Sequence, residues 1–520
     1  MEKSDVHQLE HGQNVPGRRD DSPRDMGESN EKGLVPVHTL LEDHEIATMS
    51  EAHKEYILQR HGTLELDPMP DMNDADPYNW PNWKKRTNLI LVAFHAMMGT
   101  FTAASIQSAF EPISVDLGVS IQRASYLTSL VIAIIGAAPL FWRPLANRYG
   151  RRPIFLISLI CSLIGNVGCA KSPSYATMGL CRAITAFFIC PAGAIGSAVV
   201  AECFFKHERA RYMGIWTVMV TLGVPTAPFI FGFVAYRVGY RWIYWILACT
   251  NAVQFILYVF LGPETRYMRS GARHEVSSFR QEYFYFKRID PTPLRFWDFI
   301  QPLSFVTKPC VFLPACAYAM TFLWGSIMIT IEIPQLYVEY FHFNTQQIGL
   351  QNISIILGSL IGEQFGGVLS DQWMVRRERA IKRQPSYEWR LWLSYFGYLL
   401  TIAGVVIFLV CTEQAGTHWN VRPLVGAAFA AAGVQIVTTT VFTYAVDCYR
   451  VEAGSVGVFI TFVRQVWGFI GPFWFPQILA KIGLPASSGV ATAMIVGVSV
   501  VSTVLVQWKG KSWRGATSVL

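Results

Sequence analysis

Long apolar runs, separated by short polar gaps, repeat along most of this chain. They fall at roughly 88–110, 124–142, 153–170, 172–203, 212–236, 242–263, 309–331, 343–370, 391–412, 423–446, 453–480 and 482–508. A helix needs about 20 apolar residues to cross the hydrocarbon core of a bilayer. The pattern therefore predicts an all-α membrane protein with twelve transmembrane helices. The runs do not alternate apolar and polar residues, which argues against a strand-built barrel. A polar stretch, 264–308, separates the first six runs from the last six. It contains SSFRQEYFYFKRIDP (277–291), whose aromatics and bases suit a helix lying at the membrane surface, an ordinary linker being the alternative. The expected organisation is a tail over 1–80, a six-helix half over 81–263, a central loop over 264–308, a second six-helix half over 309–508 and a short tail over 509–520.

Charge adds an orientation. The 520 residues are 52% hydrophobic and only 15% charged, against about 25% in a soluble domain. Residues 1–80 carry a net charge of −11 and the remainder +18. The acidic stretch has too little apolar surface to fold alone and reads as disordered. The loops on the face that carries the termini hold 28 Lys and Arg, those on the opposite face 6. Basic loops mark the cytoplasmic side, so both termini are expected there. The basic body reflects these edges, and no nucleic-acid partner is implied. No leader peptide is visible, nor a G-x-x-x-x-G-K-[ST] loop for ATP. Cysteines such as Cys161, Cys169, Cys181, Cys190 and Cys249 lie inside the runs without metal-type spacing, so no metal and no cofactor are expected. Asn352-Ile353-Ser354 lies inside a run and is not expected to carry glycan.

The two halves echo one another. Arg143-Pro-Leu-Ala-Asn147-Arg148-Tyr-Gly150-Arg151-Arg152 follows run two, and Gly367-Val-Leu-Ser-Asp371 follows run eight. Run five carries Gly223, Pro225, Pro228 and Gly232, and run eleven carries Gly471 and Pro472. Repeated six-helix halves belong to transporters that rock one half against the other around a central site. The motifs resemble those of the major facilitator superfamily, in particular the fungal twelve-span drug:proton antiporter branch. Leu145, Ala146, Arg148, Gly150, Arg151 and Arg152 match the superfamily motif G-x-L-a-D-R-x-G-R-R, and Asp76-Pro-Tyr-Asn-Trp-Pro81 resembles the branch's opening signature. Gly223, Pro228 and Gly232 resemble its antiporter motif in span five, and Arg182 stands where the branch has its span-four arginine.

The resemblance implies conformational gating by Arg143, Asn147, Arg148, Gly150, Arg151, Arg152, Gly367 and Asp371, and a bending motif made of the span-five and span-eleven glycines and prolines. Two departures matter. Arg143 replaces a glycine and is expected to snorkel to the interface. Asn147 replaces the aspartate, so it can still cap a helix but supplies no charge, and the latch is expected to be weakened in the first half only.

Charges near mid-membrane cost at least about 2.5 kcal/mol and usually face a cavity or a partner. Arg182, Glu363 and Arg464 lie about 12–16 Å deep by helical rise. Glu363 and Arg464 share a depth on spans that neighbour each other in the resembled fold, which admits either a structural ion pair or a proton- or substrate-coupling site. Glu332 and Glu111 lie near outer span ends, either solvated or in a gate. Gln107, Gln351, Asn352 and Gln435 either line a cavity or bond between helices. The expected function is secondary transport, not an enzyme reaction. It would be proton-coupled export of a drug-like compound or secondary metabolite, by a single chain in the plasma membrane. Uptake of a cationic nutrient such as a polyamine, and a sensor signalling through the acidic tail, are the alternatives.

Overall fold

A computed structural model describes residues 49–64, 66–268, 278–284, 288–382, 386–449 and 452–515. The chain divides into two units, Met1–Glu55 and Tyr56–Leu520. Of the first, residues 49–55 are described, and they include the start of the helix Glu51–His61. The membrane-spanning body is the second.

Among its described residues, twelve helices are long and apolar enough to cross a membrane: Asn82–Leu117, Ile121–Tyr149, Arg151–Ala170, Tyr175–Cys203, Lys206–Val238, Arg241–Leu261, Pro309–Phe341, Thr345–Ile381, Tyr387–Ala415, Arg422–Cys448, Ala453–Phe473 and Leu484–Arg514. We number them span one to span twelve. No strand occurs among the described residues. With an even number of spans, the start of span one and the end of span twelve share a face, called here the terminal face; the other is the far face.

Glycine sets the closest helix crossings. In span eight, a Cβ on Gly358 would meet the Ala428 backbone oxygen at 2.2 Å, and one on Gly362 the Ala432 oxygen at 2.5 Å. Spans nine and ten cross as closely, through Gly404 against Gly426 and Gly397 against Gly433. Small residues let helix backbones touch where lipid tails offer no hydrophobic drive for association. Between the halves, Gly232 of span five packs on Gly349 of span eight, so that a Gly349 Cβ would lie 2.8 Å from the Pro228 backbone oxygen. The helix of span five runs unbroken through Pro225 and Pro228.

The second seam joins spans two and eleven along their whole length. Tyr126 and Phe473 stack near the far face with ring centroids 4.6 Å apart. Gly136 lies against Gln465 in the middle. Arg143 Nη1 donates to Ser455 Oγ at 2.6 Å near the terminal face. The halves thus touch at both faces.

Several expected boundaries move. Of the tail expected to be disordered over 1–80, residues 1–48 lie outside the described residues, whereas most of the described residues in 56–80 are packed. Ile57, Asp76, Tyr78 and Trp80 are buried, and the Asp76 carboxylate accepts the Tyr78 backbone N–H at 3.1 Å. The signature is therefore buried over 76–80, with the Tyr78 ring stacked 4.9 Å from Phe205. Composition missed it because its few aromatics are buried by a neighbour rather than by the segment itself. Span eight continues as a polar helix to Ile381, past the expected end at 370. Span eleven stops sooner than its apolar run, because Gly471–Phe473 tightens into a 3-10 turn before the short helix Phe475–Ile482. The last helix runs to Gly515, so the tail expected from 509 begins inside it.

The Gly232–Gly349 contact leaves no room for a side chain. Gly349→Val is expected to separate spans five and eight, costing about 1–3 kcal/mol as overpacking does. It should lower the melting temperature of the purified protein and raise thiol labelling of far-face cysteines. Gly214→Val, at a position with nothing within 4 Å, serves as the comparison and should change neither.

Candidate functional site

Two polar systems stand out, one at the terminal face and one at mid-membrane. The first begins with a turn. Gly150 joins spans two and three at φ +97°, and a Cβ there would lie 2.3 Å from Glu264 Oε2. Both the left-handed backbone and the lack of space require glycine. Glu264, from the central loop, accepts the backbone N–H groups of Arg151 (2.8 Å), Arg152 (2.9 Å) and Arg266 (2.8 Å). It thereby caps the N-terminus of span three, where first-turn N–H groups have no partners of their own. Burial pushes its carboxyl up, and the three donors oppose that shift.

Arg152 turns the other way and caps the end of span six. Its guanidinium donates to the carbonyls of Tyr258 (2.9 Å), Val259 (2.8 Å) and Gly262. Arg151 bonds Asn147 Oδ1 at 2.8 Å and pairs with Glu202 at 2.9 Å. Arg148 pairs with Asp290 at 2.7 Å and Asp298 at 3.0 Å, and also donates to Thr292 Oγ1. Asp290 accepts the backbone N–H and hydroxyl of Thr292, and with Arg148 beside it its carboxyl is pulled down to about 2.

These contacts correct three expectations. Asn147 caps no helix backbone; it receives the Arg151 side chain, and Glu264 is the cap. The charge missing at position 147 is supplied by Glu202, Asp290 and Asp298, so the first half is densely paired. In the second half, Asp371 is 76% exposed and meets Arg390 at 3.2 Å, an arrangement that solvent makes weak. Gly367 has nothing within 4 Å of its Cβ position. Arg143 does not snorkel; it crosses to Ser455 of span eleven, whose hydroxyl donates to Gln301 at 3.0 Å. The central loop lies outside the described residues at 269–277 and 285–287. Its described parts include the short helices Ser278–Tyr283 and Trp297–Ile300 and the 3-10 stretch Gln301–Thr307, and its carboxylates Glu264, Glu282, Asp290 and Asp298 are each bonded. The signal was legible as scattered acids in a basic loop, Glu264, Glu282, Asp290 and Asp298 among them.

At mid-membrane, the glycine crossing decides who meets whom. Gly362 against Ala432 brings the next residue, Glu363, to Gln435. Gln435 Nε2 donates to Glu363 Oε2 at 3.2 Å and to Thr221 Oγ1 of span five at 3.1 Å. A carboxylate of the second half is thus linked through one amide to the first half, at the centre of three spans. Arg464 is elsewhere. It donates to the Tyr318 hydroxyl at 2.8 Å and lies 4.7 Å from the Phe322 ring centroid. The pair expected from equal depth does not form: span eight packs on spans five and ten, and span eleven on spans two and seven.

Arg182 is buried in the first half, where it donates to the Leu127 carbonyl (3.2 Å), the Ala103 carbonyl (3.4 Å) and the Tyr244 hydroxyl (3.4 Å). No carboxylate pairs with it among the described residues. Gln107 sits in a 3-10 turn, Gln107–Ala109, that interrupts span one where it meets spans five, seven and eight. Its Oε1 is buried without a partner. Glu332 is 1% exposed. It follows a π-helical stretch, Leu323–Met328, in span seven and accepts from Gln335 at 3.3 Å. Such wide turns concentrate at functional positions. Glu111 is half-buried. Gln351 and Asn352 bond back to their own helix, at Gln347 and Ile348. Gly471 and Pro472 end span eleven rather than bend it.

A model of the Major Facilitator Superfamily matches residues 89–472. The chain belongs to this superfamily. Among its superfamily relatives, efflux pump radE of Floropilus chiversii is 24% identical over 444 residues, covering 81% of this chain and 82% of that one. The cycloheximide resistance protein of Candida maltosa is 26% identical over 406 residues, covering 74% and 71%. The Saccharomyces cerevisiae protein named "Probable drug/proton antiporter YHK8" is 25% identical over 406 residues, covering 76% and 78%. With twelve apolar spans, this superfamily member is a multi-pass membrane protein.

Because Glu363 and Arg464 have separate partners, their loss should add. In a double-mutant cycle of Glu363→Gln and Arg464→Gln, unfolding free energies of the purified protein are expected to sum within about 0.5 kcal/mol. A direct buried pair would show itself as coupling of about 3 kcal/mol or more.

Proposed function

We propose that this chain is a proton-coupled exporter of drug-like compounds or secondary metabolites, working as a single chain by alternating access. The observation that carries the reading is the Glu363–Gln435–Thr221 chain. A carboxylate at the centre of span eight is joined by one amide to span five of the other half. Protonating Glu363 removes an acceptor charge from that link and so changes the balance between arrangements of the halves. Charge then travels with conformation, as coupling requires. The names of the radE, Candida and Saccharomyces relatives support export and proton antiport. The excess of Lys and Arg at the terminal face supports termini in the cytoplasm, and the plasma membrane is the membrane from which export would clear a cell.

One observation favours a second reading, uptake of a cationic nutrient. Glu332 is buried, and among the described residues no Lys or Arg pairs with it. A cationic ligand would supply that charge. The tail that a sensor would signal through lies largely outside the described residues, at 1–48.

The decisive experiment is export from vesicles under an imposed pH gradient, with candidate compounds taken from an untargeted metabolite comparison of cells with and without the gene. Wild-type protein is expected to concentrate substrate against its gradient. Glu363→Gln should reach normal abundance and exchange substrate across the membrane, yet neither concentrate it nor respond to pH. Gradient-driven, pH-dependent transport by Glu363→Gln would overturn the coupling assignment. Epitope tags at either terminus or in 264–308 should be reached only after permeabilisation; a tag after Ser172 or Thr417 should be reached on intact cells. Labelling of the central loop on intact cells would overturn the orientation.

A further inference from the structure

We propose that Thr292 is a phosphorylation site, and that its phosphate seats in the arginine-lined cavity beside it and holds the terminal face closed. The inference rests on the proposed orientation, which puts the central loop where protein kinases and nucleoside triphosphates are.

The local chain reads Asp290-Pro291-Thr292-Pro293-Leu294-Arg295, and residues 291–295 are exposed and outside any helix. Prolines on both sides narrow the backbone choices of the acceptor residue, which sits at an exposed bend. Pro293 offers no N–H and Arg295 places a base three residues on, features that a proline-directed kinase reads. The sequence has two other Ser/Thr-Pro pairs. Ser22 lies outside the described residues, and Ser172 is buried at the far face.

The hydroxyl is already part of the terminal-face network. It donates to Asp290 Oδ1 at 2.7 Å and accepts from Arg148 Nη1. In the transfer, Thr292 Oγ1 bonds to the γ-phosphorus of the triphosphate. The bond from that phosphorus to the bridging oxygen breaks, the nucleoside diphosphate leaves, and the hydroxyl proton passes to a base of the kinase.

The structure also shows what would receive the group. A cavity of about 180 Å³ is lined by Arg143, Arg148, Arg266, Asp290 and Asp298, among others. These three arginines outnumber the two aspartates. The Nε groups of Arg148 and Arg266 are buried without partners, and Arg266 meets Glu202 only at 3.9 Å. A phosphate brings about −1.5 to −2 charges and three acceptor oxygens, which suits these donors. Arg148 ends span two, and Arg143, five residues earlier, bonds span eleven. Anchoring the loop more firmly on Arg148 therefore stiffens the place where the halves meet.

The test uses the full-length protein in lipid nanodiscs, treated with a proline-directed serine/threonine kinase and ATP. Mass spectrometry should find phosphate on Thr292. It should be absent in Thr292→Val and in Pro293→Ala, the latter keeping the acceptor hydroxyl. Hydrogen exchange at 143–150 and 453–458 should slow several-fold on phosphorylation and recover after phosphatase. The proposal falls if the folded protein stays unmodified at Thr292 while a denatured digest is modified. It falls equally if Thr292 is phosphorylated and exchange there is unchanged or faster. Neither readout involves a substrate, so failure of the exporter reading would show separately in the vesicle experiment.

Discussion

Helix ends in this molecule are tied down by side-chain charge, and the turn between spans two and three shows how much depends on it. First-turn N–H groups left open at a helix start must find acceptors. Glu264 reaches back from beyond span six to accept two of them, and Arg152 in that same turn reaches forward to the carbonyls that end span six. The two exchanges bind spans two, three and six and the central loop into one block. The remaining arginines of the turn are then placed to hold Glu202, Asp290 and Asp298. Without the Glu264 cap, four arginines in ten residues would repel one another at the edge of an apolar body.

The twelve spans were legible because the bilayer imposes a length that no other environment asks for. The glycine-bearing spans were legible too, though not which glycine met which backbone. The misreadings share a cause. Depth along a helix follows from residue count, but azimuth and neighbours do not; hence Glu363 and Arg464 lie level and far from each other's partners. An arginine in place of a glycine tells nothing of how far it reaches, and Arg143 is a cross-link to Ser455. Residues 56 to 80 were read by composition, which cannot anticipate burial against Phe205 from outside the segment. Asn147 carries no charge of its own, while the replacement comes from acids more than fifty residues away, at the end of span four and in the central loop.

The two polar systems differ in the work they suit. The terminal-face network is crowded and multiply bonded, with each carboxylate serving several donors. Such a network opens as a unit or stays shut. The mid-membrane groups are sparse: Arg182 is held by carbonyls, Gln107 keeps a free oxygen, and Glu332 has a lone amide neighbour. Sparse bonding leaves capacity for a ligand, and the single Gln435 amide leaves little to break when the halves part.

The crossing of Gly232 on Gly349 is a contact of bare backbones. It has no rotamers to rearrange, so it offers little friction to rolling. It also lies near one end of its helices. From Gly349 to the terminal-face end of span eight is about 48 Å at 1.5 Å per residue, so a tilt of about 10° sweeps that end through about 8 Å. A fulcrum so far off centre makes the two faces unequal: a small adjustment near the far face is geared up into a wide excursion where the arginines and loop carboxylates are.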